Sequence, residues 1–181
     1  MTTDQYDILV IDPPWPQRKG GERKERANQT RSLDYKTMSV PNIFGLLDAD
    51  IFSLAAETHT VFLWMIDKFL PEAEAEMRAR NYKLHARMIW DKGNGVAPAF
   101  TVRYSHEYLG WFYKPKMLTI DPSTRGKYTT VFNAPGRQHS RKPDAPYEMI
   151  DALYPNLTKM DVFSREKRDG WRQFGDETEK F

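Results

Sequence analysis

Residues 6–15 read Tyr-Asp-Ile-Leu-Val-Ile-Asp-Pro-Pro-Trp, and this stretch decides the fold class. The run from Tyr6 to Ile11 is nearly continuous in apolar, branched side chains, and it stops at Asp12 and two prolines. Such a run is typical of a strand that is buried on both faces, as in a parallel sheet. Ligands of such sheets bind beyond the carboxyl ends of the strands, so Asp12 lies where a functional residue is expected.

The rest of the chain alternates apolar runs with helical patterns. Apolar residues at helical spacing predict three helices, which begin near Ser39, Asp67 and Asp144. Strands that alternate with helices favour an α/β fold with a mostly parallel sheet flanked by helices. The remaining predicted strands are 60–65, 84–90, 107–113, 129–132 and 158–163, and the predicted helices are 39–54, 67–80 and 144–154.

Composition limits the class of protein. The chain has 181 residues, of which 40% are hydrophobic, so we expect one domain over 1–181. The absence of cysteine excludes a disulfide scaffold, a thiolate zinc site and a cysteine nucleophile. The four histidines lack metal-ligand spacing, so we expect no metal site. Because the apolar runs are too short for a signal peptide or a membrane span, we expect a cytoplasmic protein without a membrane partner.

The basic residues concentrate in two segments that have no regular pattern. Residues 16–33 carry six basic and two acidic side chains, and residues 114–129 carry four basic and one acidic, in a chain of net charge +2. We expect both loops to face a polyanionic substrate, with Arg23, Lys24 and Arg26 on phosphates. Charge alone leaves open that both loops are merely solvated.

The Asp12-Pro13-Pro14-Trp15 sequence suggests a receptor for a flat ring that bears an amine. Prolines lack N–H groups, so their carbonyls are candidate acceptors, and Trp15 offers a face on which a base could stack. If Asp12 and the Pro13 carbonyl each accept an amine hydrogen, the nitrogen lone pair turns out of conjugation and becomes a better nucleophile. Positioning and charge stabilisation then favour transfer of a methyl group to the amine.

At these residues the sequence resembles the DPPW family of adenine N6-methyltransferases. That family includes the catalytic subunit of the mRNA adenine methyltransferase and many bacterial and phage DNA enzymes. The similarity extends over residues 6–177 and includes further segments in the family's order. These are Tyr35-Lys36-Thr37-Met38-Ser39, Ser105-His106-Glu107-Tyr108, His139-Ser140-Arg141-Lys142-Pro143-Asp144, Asp161-Val162-Phe163-Ser164-Arg165, Gly170-Trp171 and Phe174-Gly175-Asp176-Glu177.

The resemblance implies a Rossmann-like, S-adenosylmethionine-dependent methyltransferase fold with permuted motif order, in which the catalytic half precedes the cofactor half. It implies that Asp12 and Pro13 take the amine hydrogens, that Trp15 stacks near the base and that Tyr35 closes the base pocket. Asp176 departs from the asparagine that the family has at this position. The residues that it implies for the cofactor are Asp12, Lys142, Asp161, Phe163, Ser164, Arg165, Asp176 and Glu177.

The function that follows from the resemblance is methylation of adenine N6 in DNA, in a bacterial or phage-infected cell. Three alternatives stay open: the same chemistry on RNA, methylation of cytosine N4, and a catalytically silent nucleic-acid-binding subunit that scaffolds an active partner. The intact residues Asp12 to Trp15 argue against the silent subunit. The sequence leaves open whether the protein forms a homodimer or joins a partner subunit.

Overall fold

A computed structural model describes residues 5–16, 37–96, 101–136, 141–176 and 178–179. These residues form one seven-stranded sheet with three α-helices packed against it. None of the described helices is long and apolar enough to cross a membrane. The strands are β1 (Tyr6–Ile11), β2 (Ala55–Met65), β3 (Lys83–Asp91), β4 (His106–Lys114), β5 (Val131–Asn133), β6 (Lys159–Val162) and β7 (Trp171–Phe174), and the helices are α1 (Val40–Leu46), α2 (Leu70–Ala79) and α3 (Ala145–Leu153).

The strand order is β5-β3-β4-β2-β1-β6-β7. All neighbours pair in parallel except β4, which runs antiparallel to both β2 and β3. The predicted α/β architecture with a mostly parallel sheet is therefore confirmed. Because β4 is reversed, its first residues lie at the edge of the sheet where the parallel strands end. That edge carries Asp12.

The sheet has a hydrophobic core on each face, and β1 contributes to both. Leu9 and Ile11 pack with α1 and α2 on one face, whereas Ile8 and Val10 pack with α3 on the other. Successive side chains of a strand point to opposite faces, so a strand covered on both sides must be apolar throughout. This explains the unbroken apolar run at 8–11, which follows Tyr6 and Asp7, and it fixes the end of β1 beside Asp12.

The predicted strands are all present, whereas the predicted helix 39–54 is only partly regular. Ser39 begins α1, since its Oγ accepts a hydrogen bond from the Asn42 N–H at 3.3 Å. After Leu46 the chain continues as a π-helical turn over Leu47–Ile51 and then as a 3-10 turn over Phe52–Leu54. The spacing of apolar residues fits these turns as well as an α-helix, so the pattern alone does not separate them.

The predicted substrate contact of loop 114–129 stays a prediction, but the structure shows that this segment starts far from Asp12. Lys114 pairs with His59 at the edge of the sheet opposite Asp12, because β4 runs antiparallel. The Asp121 N–H then bonds to the Leu153 carbonyl at the end of α3, near the same far edge. Apolar side chains of this segment cover the core on the α3 face; they are Met117, Leu118 and Ile120.

Gly110 in β4 provides a test of the packing between β4 and β2. A Cβ at Gly110 would lie 2.5 Å from a ring carbon of Phe112 and 2.6 Å from the terminal methyl of Met65. We expect Gly110→Ala to lower the free energy of unfolding by about 1–3 kcal/mol, because these groups must shift. Urea denaturation measures this change.

Gly45→Ala is the matched control, because a Cβ at Gly45 in α1 has no neighbour within 4 Å. Alanine is favoured over glycine in a helix, so this variant should be neutral or more stable by up to about 1 kcal/mol. Equal stability of the Gly110→Ala variant and the wild type would show that the β4–β2 packing is looser than described.

Candidate functional site

Asp12 follows β1 directly, and backbone hydrogen bonds hold the turn that it begins. The Asp12 N–H donates to the Val162 carbonyl of β6 at 3.1 Å, and the Trp15 N–H donates to the Pro13 carbonyl at 2.8 Å. The Pro14 carbonyl accepts from the Met38 N–H at 2.9 Å, just before α1. A carbonyl oxygen has two lone pairs, so Pro13 retains one acceptor site.

Trp15 does not lie as the stacking interpretation predicts. The residue is only 3% exposed, and its ring stacks on Phe69 with centroids 5.8 Å apart. Its indole N–H donates to the Trp64 carbonyl at the end of β2, at 3.0 Å. The expectation that Trp15 presents a face to a base is therefore wrong for this conformation. Trp15 instead anchors the turn after β1 to β2 and to the residues just before α2.

Lys142 lies between two carboxylates at this edge of the sheet. Its Nζ is 2.9 Å from Oδ1 of Asp12 and 3.1 Å from Oε2 of Glu107, and its side chain is 12% exposed. Glu107 also contacts Lys92, whose Nζ is 2.6 Å from Oε1. Lys92, Glu107, Lys142 and Asp12 thus form a row of alternating charges, which we call the charge row. It connects the end of β3, the start of β4, the segment before α3 and the end of β1.

The two carboxylates of the charge row have opposite pKa shifts. Burial raises the pKa of Asp12 above its usual value, and the nearby Glu107 charge adds to this, although Lys142 and Arg165 oppose it. Burial also acts on Glu107, but two ammonium groups, those of Lys142 and Lys92, outweigh it and lower the pKa. Asp12 contacts one lysine, which it shares with Glu107, whereas Glu107 contacts two. Asp12 therefore takes up a proton more readily than Glu107 does.

Lys142 itself stays protonated. Burial disfavours an ammonium ion, but Asp12 and Glu107 outweigh this effect and raise the pKa of Lys142. The side chain is therefore a fixed positive charge beside Asp12 and not a proton acceptor at neutral pH.

A cleft opens beside Asp12, between the ends of β1 and β6. Asp161 of β6 lies in it, 2% exposed, and accepts a hydrogen bond from the Tyr147 hydroxyl at 3.4 Å. Burial raises the pKa of Asp161 to about 7. Arg168 packs on the Tyr147 ring, with its Cζ 3.6 Å from the centroid, and its Nε is 3.8 Å from Oδ2 of Asp161.

The chain turns sharply at the end of β6, on one wall of the cleft. Phe163 has φ of 60°, and its N–H donates to the Phe174 carbonyl at 2.6 Å. Gly175 follows with φ of 152°, and a Cβ there would lie 3.2 Å from Cα of Phe163. Glycine is thus required for this close approach. Ser164 is buried, and its hydroxyl donates to the Glu166 carbonyl at 2.7 Å.

The structure brings most of the expected cofactor residues to one cleft. The exception in the described part of the chain is Asp176, which is exposed after β7 and does not line the cleft. Arg23, Lys24, Arg26, Tyr35 and Glu177 lie outside the described residues. The expected residues that line the cleft are Asp12, Lys142, Asp161, Phe163, Ser164 and Arg165.

The sequence interpretation gave no role to Glu107, Lys92, Tyr147 and Arg168. Sequence reasoning could have found Glu107, because this residue begins a predicted strand inside the Ser-His-Glu-Tyr segment. Only the antiparallel direction of β4 places that first residue beside Asp12. Among the described residues, no group of three or more histidine, aspartate or glutamate side chains is placed to hold a metal ion.

The buried Asp161 predicts a pH-dependent stability. The folded protein keeps this proton up to about pH 7, whereas an ordinary aspartate loses it near pH 3.8, so the folded state becomes less stable as pH rises between these values. Asp161→Asn removes this effect. We expect the stability of the variant relative to the wild type to rise by about 1–3 kcal/mol from pH 4 to pH 8, as measured by urea denaturation.

Gly45→Ala, which changes no titratable group, is the control and should show a constant difference from the wild type. A constant difference for Asp161→Asn as well would mean that Asp161 is ionised across this range.

Comparison with known proteins shows which family this sequence matches. The sequence matches the family model MT-A70 over residues 6–177. The Type II methyltransferase M.MunI of Mycoplasma sp is 24% identical over 188 residues, which cover 94% of this chain and 77% of M.MunI. The N(6)-adenine-specific methyltransferase METTL4 of Mus musculus is 24% identical over 184 residues, which cover 97% of this chain and 38% of METTL4.

Plant proteins are similar over the same part of the chain. The N(6)-adenosine-methyltransferase MT-A70-like of Arabidopsis thaliana is 23% identical over 177 residues, which cover 95% of this chain. This chain spans about a quarter of the length of the plant relatives, between 23% and 26%. The family match includes the Asp12 turn, the charge row and the Asp161 cleft, and it confirms the resemblance read from the sequence: the chain belongs to the MT-A70 family.

Proposed function

We propose that this protein is an S-adenosylmethionine-dependent methyltransferase that acts on the N6 amine of adenine in DNA. The observation that carries the proposal is the Asp12 carboxylate at the end of a central parallel strand, beside a polar cleft and next to the Pro13 carbonyl. Membership of the MT-A70 family and the names of its relatives support this chemistry.

Asp12 and Pro13 are the acceptors for the amine. An aromatic amine is a poor nucleophile because its lone pair is delocalised into the ring. Two acceptors that each take one N–H draw the nitrogen towards a tetrahedral shape, and the lone pair then points away from the ring. The negative charge of Asp12 also stabilises the positive charge that develops on nitrogen. The nitrogen afterwards releases one proton, to Asp12 or to water.

The lining of the cleft fits the proposed cofactor. S-adenosylmethionine, when bound, supplies the methyl group, whose bond to sulfur breaks with the electron pair left on sulfur as the bond to nitrogen forms. Lys142 and Arg165 are cations suited to its carboxylate, and Asp161 is an acceptor suited to its hydroxyl or ammonium groups.

DNA is the proposed substrate because a Type II methyltransferase and an N(6)-adenine-specific methyltransferase are among the relatives of this chain. In duplex DNA the amine takes part in base pairing, so the target base must leave the stack before it reaches Asp12. RNA, whose adenine has the same amine, is the alternative that the first experiment tests directly.

Asp12→Asn and Asp12→Ala should each reduce methylation by about 10²-fold or more. Both variants lose the negative charge that stabilises the positive charge developing on the amine nitrogen. The protein is incubated with S-adenosylmethionine and with duplex DNA, single-stranded DNA or RNA, and the digested nucleosides are analysed by mass spectrometry. Circular dichroism checks that the variants fold. Asp50→Asn, at an exposed carboxylate that does not line the cleft, should keep wild-type activity.

N6-methyladenine in DNA alone supports the proposal in full. N6-methyladenosine in RNA alone would show that RNA, and not DNA, is the substrate. Methylated cytosine would overturn the choice of base. If no pool is methylated although S-adenosylmethionine binds, a partner subunit is required; if the cofactor does not bind either, the scaffold alternative holds. Full activity of Asp12→Ala would remove Asp12 from the reaction.

The two basic segments should differ in their contribution to nucleic-acid binding. Replacing Arg23, Lys24 and Arg26 together by glutamine should weaken binding and reduce the slope of log K against log salt by about 2–3, because about one counterion is released per phosphate contact. Fluorescence anisotropy over a salt series measures both. Triple replacement of Lys116, Arg125 and Lys127, in the segment that starts at the far edge, is the control and should leave the slope unchanged. Equal slopes for both triple variants would contradict this assignment.

A further inference from the structure

The contact between Lys142 and Asp12 raises a question about the proposed reaction. Lys142 donates to Oδ1 of Asp12 at 2.9 Å, and both side chains are largely buried, 12% and 19% exposed. The indole of Trp64 covers the ammonium group from one side, with its centroid 5.2 Å away. Lys142 therefore directly contacts the carboxylate that receives the substrate amine in the proposed reaction.

Asp12 needs a positive partner because the adenine amine is neutral. A buried carboxylate without a nearby cation takes up a proton. A protonated Asp12 would present an O–H donor to an amine that offers only N–H donors in the proposed geometry, and it would carry no charge to stabilise the developing cation. The ammonium of Lys142 lies on one carboxylate oxygen, so Oδ2 remains as the second oxygen with which Asp12 can accept from the amine.

Glu107 and Lys92 determine how strongly Lys142 engages Asp12. Lys142 is shared between Asp12 and Glu107 at nearly equal distances, 2.9 and 3.1 Å. Lys92 holds the other oxygen of Glu107 at 2.6 Å and itself lies over the Trp90 ring, with Nζ 5.1 Å from the centroid. Glu107 therefore draws part of the ammonium charge away from Asp12, and Lys92 keeps Glu107 ionised for that purpose.

We propose that Lys142 is a positioning residue for Asp12, which keeps the carboxylate ionised as the acceptor of the amine, and that Glu107, held by Lys92, balances this effect. The inference rests on the proposed function for its link to methylation. It gives Lys142 a role beyond the cofactor contact that the family resemblance implies, and it gives Glu107 and Lys92 roles that the sequence interpretation did not assign.

Because Lys142 contacts two carboxylates, replacing Lys142 and replacing Glu107 should shift the pH at which Asp12 loses its proton in opposite directions. Lys142→Gln removes the cation, so Asp12 should lose its proton at a pH at least about one unit higher than in the wild type. Glu107→Gln leaves Lys142 to Asp12 alone and removes a repelling charge, so Asp12 should lose its proton at lower pH. Lys142→Arg keeps the charge and should return most of the wild-type behaviour.

The ionisation of Asp12 is measured directly by NMR of protein that carries ¹³C in its aspartate carboxyl groups. The resonance that is absent from Asp12→Asn identifies Asp12, and its chemical shift is followed with pH. In parallel, kcat and the KM for S-adenosylmethionine are measured over the same range. Lys159→Gln is the matched control: Lys159 is another buried lysine on an aspartate, 7% exposed and 3.3 Å from Asp151, at the start of β6 on the far edge.

Shifts of opposite sign for Lys142→Gln and Glu107→Gln, with no shift for Lys159→Gln, support the proposal. The acid limb of kcat should move with the Asp12 resonance. If Lys142→Gln raises only the KM for the cofactor and leaves the Asp12 titration unchanged, Lys142 serves the ligand alone and the proposal is overturned. The NMR titration needs no turnover, so a protein without methyltransferase activity would refute the proposed function and still give a result on Lys142.

Discussion

The burial of the Asp12 carboxylate is the constraint to which the surrounding site responds. β1 is central in the sheet and apolar on both faces, so the residue that ends it lies at a buried edge. A charge there loses hydration, and nearby cations and hydrogen-bond donors must offset that loss. Lys142 comes from the segment before α3, and its second partner Glu107 comes from β4. Lys142 thus joins, by ion pairs, three segments that are distant in the sequence: the end of β1, the start of β4 and the residues before α3.

Local sequence accounts for the sheet and for the position of Asp12. The neighbouring strands β1 and β2 contain apolar runs of four or more residues, at 8–11 and 61–65, and burial on two faces leaves this signature whatever the rest of the chain does. The end of β1 is marked by the prolines, which cannot continue a central strand. Once a parallel sheet is inferred, the position of ligands beyond the strand ends follows from the architecture. The family resemblance, in contrast, was needed to assign Asp161 and Ser164 at the end of β6 to the cofactor site.

The parts that could not be predicted depend on strand direction and on contacts between distant residues. Glu107 enters the site only because β4 is antiparallel, and the same reversal carries Lys114 to the far edge. The stacking role assigned to Trp15 assumed an exposed ring, but Phe69 and the Trp64 carbonyl, 49 or more residues away, bury it. β7 has only four residues, and its pairing with β6 gives no periodic signal in the sequence.

The charge row also explains why a lysine beside the acceptor need not oppose methyl transfer. The reaction moves a positive charge onto the amine nitrogen, so it gains from a negative potential at Asp12. Lys142 weakens that potential, yet without Lys142 the buried carboxyl would take up a proton more readily and would supply less negative potential. Because Glu107 also contacts the ammonium group of Lys142, it reduces the effect of that positive charge on Asp12. Lys92 in turn offsets the negative charge of Glu107. Four alternating charges therefore hold Asp12 ionised while the lysine cancels only part of its field.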